Sequence, residues 1–129
     1  MIAVPDDFPS VFEGSAAHER AKQLGELSLN TTRGAEDEAE LARRIGKASV
    51  AINIRAYARF TESVFRACPD LRMVSIWGTG TDNFDLAAAA RHNVTICNTP
   101  GTNAYAVAEH ALALMLACAR KIPQIDCEM

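Results

Sequence analysis

Hydrophobic and polar positions along the chain switch between two periods, and the switches mark its elements. Met1–Val4 is a short apolar run closed by Pro5-Asp6-Asp7, which predicts a first strand. Ser15–Gly25 places Ala17, Ala21 and Leu24 at helical spacing, with Gly25 as the stop. Over Glu26–Asn30, Leu27 and Leu29 alternate with polar neighbours, the pattern of an edge strand. Ala35–Gly46 predicts a second helix, with Leu41 and Ile45 as its inward stripe. Glu36, Asp37 and Glu38 in its first turn and Arg43 and Arg44 in its last suit the helix dipole. Ser49–Arg55 carries Val50, Ile52 and Ile54 on one face and Ala51 and Asn53 on the other, a third strand. Thr61 is the expected N-cap of a helix bearing Val64, Phe65 and Cys68, stopped by Pro69.

The remaining pattern, Leu71–Gln124, organises the chain. The apolar run Met73–Trp77 empties into the loop Gly78-Thr79-Gly80-Thr81-Asp82-Asn83. A short helix pattern, Asp85–His92, leads to a fifth strand, Val94–Cys97, and to the turn Asn98-Thr99-Pro100-Gly101. Last comes a long helix pattern, Asn103–Ile122, apolar almost all round. Such a helix needs cover on every side, and the other elements of so short a chain can cover only one. Five strands alternating with helices predict an α/β fold, a doubly wound parallel sheet with helices on both faces.

With 129 residues, 49% of them hydrophobic and 22% charged, the chain has the size and composition of one globular domain. A net charge of −3 and the lack of a Lys/Arg cluster argue against a nucleic-acid partner. The longest apolar run, Ala111–Ala119, is far short of the ~20 residues that cross a bilayer. No basic flank or cleavage signal opens the chain, so a cytoplasmic protein is expected. Cys68, Cys97, Cys118 and Cys127 show no zinc spacing and are expected as free, buried thiols. His18, His92 and His110 are not spaced with carboxylates or cysteines, so no metal or catalytic set is expected.

Three places carry candidate binding chemistry. In the loop Gly78–Asn83 the third glycine of a dinucleotide fingerprint would fall at Asn83, so the fingerprint is absent. Two glycines one residue apart can still aim successive N–H groups at a carboxylate. The other reading is a tight strand-to-helix turn needing φ > 0, with no ligand. Asp85 is the expected cap of the helix that follows. Arg55 ends the third strand on the edge where open α/β sheets bind ligands, as a substrate contact or a solvated cation. Asn103 opens the last helix, as its N-cap or as a pocket residue.

Read together, Gly78-Thr79-Gly80-Thr81-Asp82-Asn83-Phe84-Asp85-Leu86, Asn98-Thr99-Pro100-Gly101, Val107-Ala108-Glu109 and Ala119-Arg120-Lys121-Ile122-Pro123-Gln124 resemble the N-terminal half of D-isomer-specific 2-hydroxyacid dehydrogenases. The likeness is specific over Leu71–Gln124; over Met1–Asp70 only the order of elements agrees. It implies a flavodoxin-like sheet, with residues 1–102 as substrate (catalytic) domain. It further implies that residues 103–129 are an interdomain and dimerisation helix with its tail. The family's dinucleotide domain, with the glycine fingerprint and the catalytic Arg, Glu and His, would lie beyond Met129. The implied reaction is hydride transfer between NAD or NADP and a small 2-hydroxy or 2-oxo acid. The implied substrate site is the loop from Gly78, with the carboxylate on the amides of Thr79 and Gly80. Arg55 and Asn103 match further substrate contacts, the latter as in the formate dehydrogenase branch. Many members have Arg-Ser where this chain has Arg55-Ala56. The resemblance also implies a homodimer through the Asn103–Ile122 helix. No residue here matches a catalytic one, so the isolated chain is expected to be inactive and to hold no cofactor tightly. A non-catalytic flavodoxin-like binding or oligomerisation module is the alternative.

Overall fold

The computed structural model describes Met1–Glu128. Its elements are β1 (Ile2–Val4), α1 (Ala16–Leu24), β2 (Leu27–Leu29), α2 (Glu38–Ile45), β3 (Val50–Asn53), α3 (Glu62–Ala67), β4 (Met73–Ile76), α4 (Leu86–Arg91), β5 (Thr95–Cys97), α5 (Ala104–Ala119) and α6 (Ile122–Glu128). The five strands are all parallel and run in the order β2-β1-β3-β4-β5, the flavodoxin-like arrangement. β2, expected on an edge, is on one. Alternation sorts the side chains to two faces. On one, Ala3, Ala51, Val74 and Ile76 meet Leu41 and Ile45 of α2, Val64 and Phe65 of α3, and Ala88 and Ala89 of α4. On the other, Val4 packs with Phe12 and with Ala21 of α1, flanked by Ile52 and Ile54.

Asp85 caps its helix as expected, Ser15 and Asp37 cap theirs as well, and Thr61 and Asn103 make no side-chain cap bond. The side chains of Ser15, Asp37 and Asp85 accept from the N–H groups of His18, Glu40 and Ala88. Thr61 stands at the cap of α3 but makes no cap bond. Its hydroxyl instead donates to Glu38 Oε2 at 2.8 Å, tying α3 to α2.

The expectation of buried thiols changes. Only Cys68 is buried, with its thiol 3.6 Å from the Ala42 carbonyl; Cys97, Cys118 and Cys127 are exposed. Cys97 lies on the edge strand β5, and α5 and α6 bury none of their residues. His92, without a carboxylate near it in sequence, has one in space: Nε2 lies 2.6 Å from Glu62 Oε1. Arg91 donates to the same carboxylate at 2.5 Å, so Glu62 clamps α3 to α4.

The hydrogen bonds from His92 and Arg91 pull the Glu62 carboxyl down from 4.5 to about 2. A carboxyl whose pKa is lower folded than unfolded stabilises fully above the unfolded value and loses that stabilisation as pH falls. Thermal melts followed by circular dichroism should therefore show Tm declining between pH 4.5 and about 2. Glu62→Gln should flatten part of that decline, and an unchanged slope would rule out the clamp.

The backbone divides into two compact units, the first Met1–Thr99 and the second from Pro100 onward. In the second, the expected continuous helix is two helices, parted at Arg120 and Lys121, the latter at φ 53. Pro123 explains the break: without an N–H it fits the first turn of α6 but not a helix interior. Among the described residues no helix is long and apolar enough to cross a membrane. No group of His, Cys, Asp and Glu among them is placed to hold a metal.

Candidate functional site

Open α/β sheets take ligands beyond the C-terminal ends of their strands, where neighbouring crossovers part to opposite faces. Here that crevice, above β1 and β3, is filled by the chain's own loops. The carboxylate of Asp7, 0% exposed, accepts from the N–H groups of Val11, Phe12 and Glu13 and from the Ser10 hydroxyl. Burial raises its pKa, but these bonds outweigh burial and hold it below the usual carboxylate value. Asp6 accepts from the N–H groups of Gly34 and Ala35 and, at 2.8 Å, from the Tyr57 hydroxyl. Burial first, then the bond to Asp6, pushes the Tyr57 hydroxyl up to about 12. Arg55 is half-buried in this tie, and its Nη2 donates to the Pro9 carbonyl. Its Nε is buried with no partner among the described residues, so Arg55 is not a solvated strand-end cation.

The opening lies one strand over, between the loops that leave β3 and β4. It is a cleft of about 310 Å³. Asn53 and Ile76, partners in the β3–β4 register, line its base. Arg59 lines it from the loop after β3, and Gly78, Gly80, Asp82 and Asn83 line it from the loop after β4. Neither Arg59 nor Asp82 makes an ion pair within 4.0 Å among the described residues. The cleft thus carries charge of both signs.

The glycine loop is bonded on both sides. Gly78 donates its N–H to Thr99 Oγ1 at 2.9 Å and accepts from the Thr99 N–H at 2.8 Å. The Asn98 amide donates to the Thr79 carbonyl at 2.8 Å, and the Asn83 amide to the Ala58 carbonyl at 2.6 Å. The N–H groups of Thr79 and Gly80 donate to nothing among the described residues. Gly78 and Gly80 do not have positive φ, unlike five other glycines of the chain, so a turn needing φ > 0 does not account for them. Nothing lies within 4 Å of where a Gly78 Cβ would stand, and at Gly80 only the Asp82 carboxylate comes near, at 3.4 Å. Neither backbone strain nor packing demands these glycines. What they leave is open space beside unclaimed N–H groups, as close approach of a ligand to the backbone requires.

A dinucleotide does not fit the residues present. The third fingerprint position is Asn83, whose amide is engaged. The N-terminus of α4, where a pyrophosphate would bind, is closed by the carboxylate of Asp85, which accepts from Ala88 N–H at 2.8 Å. Of the residues singled out from sequence, Gly78 and Gly80 line the cleft, and Thr79 stands between them. Arg55 lies outside the lining, in the tie above β1. Asn103 belongs to the second unit, at the start of α5, without a side-chain cap bond. Asn53 and Arg59 were missed. The one signal in the sequence was an amide at Asn53 in the inward register of Ala51.

The strand order defines an α/β domain of flavodoxin-like form. The chain belongs to the D-isomer specific 2-hydroxyacid dehydrogenase family: the model of its catalytic domain matches residues 10–120. It is 42% identical over 87 residues to the D-3-phosphoglycerate dehydrogenase of Archaeoglobus fulgidus, covering 67% of this chain and 16% of that protein. The solved phosphoglycerate oxidoreductase of Vibrio cholerae superposes with a TM-score of 0.76 at 27% identity, over 95% of this chain and 38% of that one. The NAD-dependent formate dehydrogenase of Staphylococcus aureus, solved in complex with NAD, gives a TM-score of 0.64 at 27% identity, over 82% of this chain and 31% of that one. The chain therefore spans about a sixth of the length of that curated relative.

Proposed function

We propose that this chain is the substrate-binding part of an oxidoreductase that moves a hydride between NAD(P) and a small 2-hydroxy or 2-oxo acid. In this reading residues 1–102 form the substrate domain, and residues 103–129 are an interdomain and pairing helix with its tail. The acid's carboxylate rests on the N–H groups of Thr79 and Gly80, and Arg59 supplies the facing positive charge. The observation that carries the reading is the loop itself, with two successive N–H groups unclaimed beside glycines that nothing in the fold requires. The formate dehydrogenase relative, solved with NAD, supports a dinucleotide as cofactor of the whole enzyme. Its phosphates are held by residues other than these. The chain alone contributes substrate binding and no turnover, which assays with NADH and a panel of 2-oxo acids test directly. Arg55 acts on the site by fixing the loop after β3 against Pro9.

Binding to this chain alone is weak. Charge-assisted bonds to a carboxylate contribute roughly 1.5–3 kcal/mol each, so two of them give about millimolar affinity. In an NMR titration with pyruvate or glyoxylate, the amide signals of Thr79 and Gly80 should move most. Gly80→Val puts a branched side chain into the approach to these N–H groups and should weaken binding at least about tenfold, some 1.4 kcal/mol. Shifts confined to residues away from Thr79 and Gly80, or undiminished binding by the valine variant, would overturn the site.

A further inference from the structure

We propose that Asn53 is a specificity-determining residue of the cleft, reading a hydroxyl that the acid carries one or two carbons beyond its carboxylate. The inference rests on the carboxylate site just proposed and adds a second contact to it. Asn53 ends β3 on the face shared with Ala51 and is 3% exposed. It lines the base of the cleft, yet its side-chain amide makes no hydrogen bond among the described residues. The polar atoms of the side chain are not sealed in the core: they reach the cleft, where an amide with no protein partner is open to water or to a ligand.

Position and chemistry together select the partner. Asn53 is paired in register with Ile76, two residues before Gly78. With strands about 4.8 Å apart and a rise of about 3.3 Å per residue, the Cα atoms of Asn53 and Gly78 stand about 8 Å apart. A two- or three-carbon acid anchored at Thr79 and Gly80 is of a length to reach across such a gap toward the base of the cleft, where Asn53 stands. An amide offers both a donor and an acceptor, which suits a hydroxyl, itself both. A second carboxylate, which only accepts, would use the donor half of the amide and leave its acceptor half unused. A site that hydrogen-bonds a hydroxyl disfavours the analogue lacking it, because its own polar group is then left unpaired.

The test is an NMR titration of the full chain with three acids of equal charge: D-lactate, 3-hydroxypropionate and propionate. At least one hydroxy acid should bind about twofold to tenfold more tightly than propionate, the span of one net hydrogen bond. Which of the two does so identifies the carbon that is read. The side-chain NH₂ signals of Asn53 should move with that acid and stay still with propionate, a readout that needs no variant. Asn53→Leu, or Asn53→Val if the leucine variant does not fold, should bring the hydroxy acid down to the affinity of propionate and leave propionate unchanged. Equal affinity for all three acids, or a preference that survives the substitution, overturns the role of Asn53. If Thr79 and Gly80 still respond to every acid in that case, the carboxylate site stands without it. No response to any acid overturns both.

Discussion

The chain should sediment as a dimer at equilibrium at micromolar concentration, and replacing Leu112 and Leu116 by lysine should turn it into a monomer. The reason lies in α5. It is 16 residues long, about 24 Å at 1.5 Å per residue, and buries none of them. Tyr105, Val107, Leu112, Leu114, Met115 and Leu116 are all more than half exposed. Their spread around the helix leaves little polar face, so no single contact with solvent-facing charge explains them. Each large apolar side chain left in water forgoes on the order of 1.5–3 kcal/mol. Pairing with the same helix of a second chain recovers much of that, and a two-fold arrangement is the commonest closed solution. Ala106, Ala113 and Ala117 offer small side chains along the helix for a close approach. Far-UV circular dichroism should show the fold retained in the variant. A wild-type chain that sediments as a monomer would refute the pairing.

Phe60→Ala should be among the most damaging single changes, lowering stability by about 3–5 kcal/mol. Phe60 is 0% exposed, with its ring stacked 4.7 Å from Phe84 and tilted against Phe65 at 6.2 Å. Its backbone is used as well. The Phe60 N–H donates to the Asn83 carbonyl and its carbonyl accepts from the Asp85 N–H, both at 2.9 Å. The residue therefore holds the end of the glycine loop against the segment before α3. At about 4–8 °C per kcal/mol for a domain of this order, Tm should fall by about 12 °C or more. A loss below about 4 °C would mean that the two flanking phenylalanines close over the gap.

Much of the sheet was legible because its signals are local. The alternation of Val50, Ile52 and Ile54, the stop at Gly46 and the cap at Asp85 each need only a few neighbours in the chain. The site was legible in part for the same reason: a glycine pair after an apolar run is itself a local pattern. What escaped depends on residues distant in sequence. Arg55 and Arg59 are alike in one dimension, and the Pro9 carbonyl engages one while the other lines the cleft. Thr61 looks like a cap until Glu38 is brought beside it, and His92 looks unpartnered until α3 presents Glu62. Burial of Asn53 became visible only when β4 was placed against β3. The thiols were misjudged because apolar surroundings in the sequence were taken for burial, and α5 shows that these differ.

The bonds on either side of the glycine loop bear on how tightly anything can be held there. A flexible loop must give up conformational freedom when it closes on a ligand, and that loss subtracts from affinity. This loop has little of it left to give. Thr99 holds Gly78, Asn98 holds the Thr79 carbonyl, and Asn83 is fastened to Ala58 before any ligand arrives. Affinity at the cleft is then limited by the number of donors offered rather than by the ordering of the protein. Further donors from outside this chain would add to a surface already set in its bound shape.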